Sequence, residues 1–495
     1  MPERYMNFVG GRWTPSKTGK WFPDVSPADT SDVVGEFCDS SADDLNDAVE
    51  AAAAAYPVWR ATPAPKRAEI VFRVGEILRD RKEELSRDMT REMGKVLAEA
   101  RGDVQEGLDT AYLAAGEGRR LFGKTAPCEL PNKAGYAIRQ PIGVAGIITP
   151  WNFPMAIPTW KIFPALVSGN TVVFKPASDV PKSAWNLVKI LDEAGIPKGV
   201  VNFVCGGGAA VGTPLVLHPK VPVISFTGGT DVGKKINADG GRMLKRISLE
   251  LGGKNAQVVL DDADVDLAVD AALWGGFGTT GQRCTATSRV ILQKGIRAKF
   301  LEKFIGRVRS LKVGNGLDAA MQVGPVVNKG RIPAVHEYVE IGKKEGAKLL
   351  CGGSPRTDGD LAKGHFYAPT VFDEVAPTMR IAREEIFGPV VSVLTADDLE
   401  DAIRIQNDVE YGLSSAIFTR DVNKAYRAIE AFEAGIVYVN SATIGAEAHF
   451  PFGGVKATGN GHREGGWTVF DNFTEWKTVY VDYSGHLQRA QIDNN

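Results

Sequence analysis

Three segments of this chain carry residue types that can do covalent chemistry on a carbonyl carbon. The first is Phe277-Gly278-Thr279-Thr280-Gly281-Gln282-Arg283-Cys284-Thr285-Ala286-Thr287, where one cysteine follows a Gly- and Thr-rich stretch and precedes an extended run. A cysteine at such a turn can be exposed as a nucleophile, with its own backbone N–H free to stabilise charge on a neighbouring oxygen. An isolated free cysteine is more often an inert buried thiol, so its company has to decide. The second segment, Leu249-Glu250-Leu251-Gly252-Gly253-Lys254-Asn255, sets an acid between leucines. Partial desolvation raises the pKa of such an acid toward neutrality and suits it to act as a base, whereas alone it reads as a solvated loop glutamate. The third, Thr149-Pro150-Trp151-Asn152-Phe153-Pro154, ends an apolar run. The Asn152 amide can join the Cys284 N–H in holding a developing oxyanion, although an asparagine in a Pro-flanked turn is the plainer alternative.

These residues need a scaffold, and the pattern around them is α/β. From Pro141 to Gly233, short apolar runs (143–148, 171–174, 200–204 and 223–226) alternate with helical stretches such as 183–194. That rhythm predicts a buried parallel sheet of the dinucleotide-binding type. A second alternating region from Asn255 to about Asn440, with strands at 256–260, 289–292 and 390–394, predicts a second α/β domain. Upstream, Gly10-Gly11 between apolar residues predicts an N-terminal hairpin. Ser41 with Asp44 fits a capping box opening a helix, and Ile70, Val74, Ile77 and Leu78 mark another. Pro127, Pro131 and Pro141 break the chain around a short extended piece at 136–138, an excursion from the main body. Residues 476–483 alternate at period two and predict a final strand in need of a partner edge. The run Gly206-Gly207-Gly208 reads only as a flexible turn.

Bulk properties narrow the class. A chain of 495 residues exceeds one small core, and a net charge of -2 supplies no basic field for nucleic acid or an anionic membrane surface. No apolar run is long enough to cross a bilayer and the start lacks a signal-like pattern, so a cytoplasmic location is expected. Five scattered cysteines, Cys38, Cys128, Cys205, Cys284 and Cys351, predict neither disulfides nor a structural metal.

Taken together and in this order, the Asn152, Glu250 and Cys284 segments resemble the signature of the aldehyde dehydrogenase superfamily, and the likeness runs from the first hairpin to the last strand. The 34-residue separation of Glu250 and Cys284 suits its hydrolytic branch. The resemblance implies a Rossmann-like NAD(P)-binding domain from residues 1–123 and 143–252, a catalytic domain from 253–457, and a small β oligomerisation flap from 124–142 and 476–495. It implies that Cys284 is the nucleophile, Glu250 the base, and Asn152 with the Cys284 amide the oxyanion hole. Thiohemiacetal and thioester intermediates follow, with water as the final acceptor. The flap would add its tail to a neighbour's sheet in a dimer or tetramer.

The same resemblance distributes the cofactor contacts. Lys175 would meet the adenosine ribose or its 2'-phosphate. Ser178 stands where members strict for NAD usually carry an acid that repels that phosphate, so NADP is favoured over NAD. The turn Thr227-Gly228-Gly229 through Gly233 resembles a pyrophosphate site, although most members have Ser at the position of Gly229. Glu385 would hold the nicotinamide ribose with Phe387 beside the ring, and Ile148, Pro150, Trp151, Leu251 and Gly252 would complete the contacts. Phe153, Trp160, Arg283, Thr285 and Phe452 would line the aldehyde pocket, widened near its mouth because Gly278 replaces a bulky aromatic.

Arg283 either clamps a carboxylate at the far end of a semialdehyde or pairs with a protein acid. Residues 282–289 (QRCTATSR) and 481–491 (VDYSGHLQRAQ) resemble family members that act on 2,5-dioxopentanoate, also called α-ketoglutaric semialdehyde. A broad range of aliphatic and aromatic aldehydes, transfer of the acyl group to CoA, and a non-catalytic relative are the alternatives.

Overall fold

The computed structural model describes residues 2–493. Short, largely buried runs form a parallel sheet in the order Arg246–Glu250, Val223–Thr227, Val144–Ile148, Thr171–Lys175 and Val201–Phe203. Both faces are covered, which is why the central strand Val144–Ile148 is apolar at every position rather than alternating. Ala145 and Ile147 pack with the helices Ala64–Asp80, Leu97–Glu117 and Ala156–Ser168, whereas Val144 and Ile148 join a separate core with the helix Ala42–Ala61. Ser41 and Asp44 close the expected capping box on that last helix.

The N-terminal hairpin, Asn7–Val9 with Arg12–Thr14, turns through Gly10 and Gly11, both at positive φ, and extends the sheet through an antiparallel Phe203–Phe8 pair. Strand order departs in both directions from Val144–Ile148. The covering helices therefore diverge at the carboxyl ends of this strand and Val223–Thr227, opening a crevice there.

The second sheet runs Lys348–Cys351, Thr370–Asp373, Val390–Ala396, Thr287–Gln293, Asn255–Val259, Ser414–Phe418 and Ile436–Val439, parallel except for its first strand. Only residues 251–254 separate its strand Asn255–Val259 from Arg246–Glu250 of the first sheet. The parallel register pairs Asn255 with Thr287. Segments 250–254 and 282–286 consequently enter adjacent strands side by side, and this brings two residues far apart in sequence into one cleft.

A third sheet is antiparallel, with Lys133–Pro141 between Lys124–Pro127 and Thr474–Asp482. Here one expectation needs correcting, since the short extended piece is a nine-residue strand. The tail strand pairs along its full length with Lys133–Pro141 of its own chain, so that the whole flap is one three-stranded sheet. Residues 494 and 495 of the expected flap lie outside the described residues. Among the described residues no helix is long and apolar enough to cross a membrane.

One backbone feature fixes the approach to Cys284. After the helix Val265–Phe277 the chain takes three successive left-handed residues, Thr279, Thr280 and Gly281, at φ of 50°, 58° and 68°. Threonine is β-branched and resists this region, so its surroundings must hold it there. The Thr279 N–H donates to Glu99 Oε1 at 2.8 Å, and the Thr280 hydroxyl donates to the Gly324 carbonyl at 3.0 Å. At Gly281 a Cβ would stand 2.2 Å from the Gly388 carbonyl oxygen. Gly281→Ala is therefore expected to cost about 3 kcal/mol and to displace the cysteine loop. Thermal denaturation together with titration of the reactive thiol checks this; a variant with unchanged melting and thiol reactivity would show that the turn is not fixed as described.

Candidate active site

The Cys284 loop is fastened through its carbonyl. The Asn255 amide donates to the Cys284 and Ala286 carbonyls at 2.8 and 2.9 Å, and its oxygen accepts the Ser414 N–H at 3.0 Å. Gly253 passes so close that a Cβ would lie 2.3 Å from the Cys284 carbonyl oxygen. The side chain of Cys284 then stands in the wall shared by two cavities, one of about 90 Å³ and one of about 370 Å³. Burial, reinforced by Glu385 and Glu250, pushes its thiol up to about 12. Cys284 is half-buried, so the thiol reaches the cavities as the sequence suggested, yet it needs a proton acceptor or a nearby positive charge to ionise.

Glu250 closes its strand at the edge of the smaller cavity, which also contains Cys284. Neither carboxyl oxygen has a hydrogen-bond partner. Burial holds this acid well above the usual carboxylate range, and Glu464 adds to the effect. Glu464 is itself tied to Lys161 at 2.5 Å, in a fully buried pair shared with the Ser225 hydroxyl. Sequence reading missed this pair, since Lys161 sits in the helix Ala156–Ser168 and Glu464 in a distant loop. Gly453 leaves the space that Glu250 uses, because a Cβ there would stand 2.5 Å from Oε1.

Asn152 lies in the turn after Val144–Ile148, 2 % exposed, and lines the larger cavity. Beneath it Lys95 donates to the Asn152 carbonyl at 2.6 Å and pairs with Asp103 at 2.9 Å, with both charged side chains fully buried. Asp103 in turn accepts the Ala156 N–H at 2.7 Å, so one ion pair anchors both ends of the turn. A lysine in a polar segment gave no sign of this role.

Residues expected at the cofactor divide between the larger cavity and a third, of about 640 Å³, continuous with it around Pro150, Trp151, Thr227, Gly228 and Gly229. Ile148 and Lys175 line the third; Leu251, Gly252, Glu385 and Phe387 line the larger one. Gly229 opens the helix Thr230–Arg242 without a side-chain cap, leaving backbone N–H groups at the junction of the two cavities. Glu385 accepts the Gly253 N–H at 2.9 Å and is raised by burial to about 7. Its second oxygen lies 2.6 Å from where a Gly252 Cβ would be, so Gly252 is needed for that carboxyl to reach the cavity. Phe387 is held at a φ of 56° by Arg331, which donates to the Ile386 and Phe387 carbonyls, and it meets the Trp151 ring edge-on at 5.3 Å. An elongated cleft with a carboxyl at one end, free helix N–H groups midway and the Lys175 side chain at the other fits a dinucleotide.

Two further residues expected at the cofactor do not themselves line these cavities but adjoin residues that do, Leu251 and Ala177. Gly233 lines none of these cavities. One turn inside its helix, it lets Leu251 approach, where a Cβ would be 2.3 Å from Leu251 Cδ2. Ser178 is exposed beyond the wall that Ala177 forms, its hydroxyl 3.4 Å from the Gly206 carbonyl. The Gly206-Gly207-Gly208 run is more than a turn, since Gly208 helps wall the third cavity. That wall carries Lys235 as well as Lys175, together with Asp231 and Asp239.

The smallest cavity is lined by all five expected pocket residues, Phe153, Trp160, Arg283, Thr285 and Phe452. Trp160 and Phe452 stand 4.7 Å apart as one wall. Arg283 pairs with Glu99 at 3.1 Å, bonds the Thr279 hydroxyl through Nε and lies over the Phe153 ring. Both readings of Arg283 therefore meet in one side chain, which has a protein acid as partner and still faces the cavity. Gly278 does not widen the mouth as expected. A Cβ there would be 3.0 Å from Glu99 Oε1 and 3.5 Å from Arg283 Nη2, so the ion pair occupies the space an aromatic would fill. Sequence reading also missed Glu106, which lines this cavity from the helix Leu97–Glu117.

Known proteins resemble this chain over nearly its whole length. An alpha-ketoglutaric semialdehyde dehydrogenase of Bacillus subtilis is 41% identical over 477 residues, covering 96% of this chain and 98% of its own. A 2,5-dioxopentanoate dehydrogenase of Saccharolobus solfataricus is 41% identical over 466 residues, covering 94% and 96%. Among solved structures, an NAD-dependent aldehyde dehydrogenase of Sinorhizobium meliloti superposes with a TM-score of 0.95 at 37% identity, covering 98% and 96%. An NADP-dependent enzyme of E. coli superposes with a TM-score of 0.93 at 36% identity, covering 97% and 98%. Residues 13–479 of this chain match the aldehyde dehydrogenase family, and with relatives this similar over nearly its whole length the chain belongs to that family.

Proposed function

We propose that this protein oxidises a short, carboxylate-bearing aldehyde such as 2,5-dioxopentanoate to the corresponding acid with NAD(P)+. The observation that carries the reading is the position of Cys284 in the wall between two cavities, with Glu250 on the small side and Glu385 and Phe387 on the other. The Cys284 thiolate adds to the aldehyde carbon, and the thiohemiacetal oxygen lies between the Asn152 amide and the Cys284 N–H. Lys175, Trp151, Glu385 and the N–H groups beside Gly229 would hold NAD(P)+, which would supply the hydride acceptor needed for the adduct to become a thioester. Glu250 takes a proton from water, which attacks the thioester and releases the acid and the Cys284 thiol.

Burial shapes each of these roles. The apolar wall that disfavours ionised Cys284 also raises Glu250 well above the usual carboxylate range, so the acid takes a proton from water more readily than an exposed carboxylate does. The small cavity admits a short chain, and Arg283 faces into it with a guanidinium matched to a carboxylate. No acid stands at position 178 to repel a 2'-phosphate, which favours NADP over NAD. The flap sheet, which exposes Trp476, Tyr480 and Val481, is the surface by which copies would associate into a dimer or tetramer.

Cys284→Ala is expected to abolish turnover while leaving cofactor binding intact. Glu250→Gln should release one equivalent of reduced cofactor per site and then slow by about a hundredfold or more. Rapid-mixing kinetics without CoA decide this; steady turnover by Glu250→Gln, or wild-type turnover only with CoA, would defeat the hydrolytic reading. Ser178→Glu should lower the NADP-to-NAD ratio of kcat/KM about tenfold, and an unchanged ratio would remove the cofactor argument. Against a panel of 2,5-dioxopentanoate, succinic semialdehyde and pentanal, wild type should favour the acids. Arg283→Gln should lose about ten- to a hundredfold in kcat/KM for the acids and little for pentanal. Equal losses for all three would leave Arg283 as a structural residue only.

A further inference from the structure

The small cavity contains an acid that the mechanism does not use. Glu106 lines it from the helix Leu97–Glu117, and its carboxyl makes no hydrogen bond or ion pair among the described residues. The contrast with its neighbours is sharp. Asp103, one turn earlier, is spent on Lys95 and the Ala156 N–H, and Glu99 is spent on Arg283 and the Thr279 N–H. Arg283 thus already has its protein acid, while its Nη1 meets no acceptor among the described residues. An ionised Glu106 would be a second, unmatched negative charge in a largely apolar cavity.

We propose that Glu106 determines substrate specificity by donating a hydrogen bond, as a neutral carboxylic acid, to the distal carboxylate of the substrate beside the Arg283 guanidinium. This rests on the acidic-semialdehyde reading above and adds a second group to it. The charges facing Glu106 agree with a neutral form. Burial comes first in raising its carboxyl to about 8, Asp103 and Asp109 on its own helix act in the same sense, and Arg283 and Lys95 only partly oppose them. From the strand Ile436–Val439, Tyr438 brings a hydroxyl with no hydrogen-bond partner, held in its neutral form by burial and then by Glu106. A neutral acid and a guanidinium together satisfy both oxygens of a carboxylate, whereas an ionised Glu106 would repel it.

The sign of the pH effect follows. Below about pH 8 the acid is protonated and donates; above it the acid ionises and specificity for the carboxylate is lost. The test is the ratio of kcat/KM for 2,5-dioxopentanoate to that for pentanal, measured with the full chain across pH, since changes at Cys284 and Glu250 cancel in the ratio. The wild-type ratio should fall about tenfold or more between roughly pH 7 and pH 9.5. Glu106→Gln, which donates at every pH, should keep the ratio near its low-pH value throughout. A wild-type ratio that is above one but flat, or a fall that persists in Glu106→Gln, overturns the proposal for Glu106 and leaves the substrate reading standing. A ratio at or below one at every pH instead overturns the substrate reading itself. Better turnover of 4-aminobutanal than of either aldehyde, improving with pH, would mean that Glu106 works ionised, as the partner of a cation.

Discussion

The carboxamide of Asn255 ties together the ends of three neighbouring strands just where their ladder gives way to the cysteine loop. One side chain accepts from Ser414 and donates to the carbonyls of Cys284 and Ala286, so the peptide that carries the thiol has a single orientation. The left-handed turn at Thr279-Thr280-Gly281 delivers the chain to that point, and Gly253 and Gly281 leave room for it by lacking a side chain. An oxyanion site demands this degree of fixing, because donors stabilise developing charge only when they need not reorganise to meet it. On the opposite side the Lys95–Asp103 pair does for Asn152 what Asn255 does for Cys284.

The centre is built from groups kept in electrically uncomfortable places. Glu250, Glu385 and Glu106 are all raised by burial, and Cys284 likewise. Other acids nearby are fully engaged: Asp103 with Lys95, Glu464 with Lys161, Glu99 with Arg283. The division is functional in form. Paired acids hold the frame, and unpaired ones face cavities where a ligand can complete them.

Much of the frame was legible in the sequence because its signals are local. Runs such as Val144–Ile148 and Val223–Thr227 are short, mostly apolar and rich in Val and Ile, and solvated elements do not look like that. The cysteine and glutamate segments were legible as Gly-flanked polar residues beside strands. Glu106, Lys95 and Lys161 were not, since a charged residue in a helix reads as a solvated face until the neighbouring helices are known. Gly233 and Ser178 show a different limit. A motif gives the neighbourhood, but a helical turn or a wall residue such as Ala177 decides which side chain reaches the ligand. The tail strand was visible as a period-two pattern, and its partner was not, because pairing between distant segments leaves no trace in either alone.

That pairing has a consequence for how the chain reaches its fold. Lys133–Pro141 is the middle strand of its sheet, yet one of its two neighbours arrives only with the last stretch of chain, and Arg139 bonds Asp471, 332 positions further on. During synthesis, the hairpin of Lys124–Pro127 and Lys133–Pro141 emerges early and waits with a bare nine-residue edge while everything between is made. Closing such a long loop is slow, and an open edge invites the wrong strand in the interval. The period of greatest exposure to misassembly for this protein is therefore set by the ribosome, through the time it takes to reach Thr474.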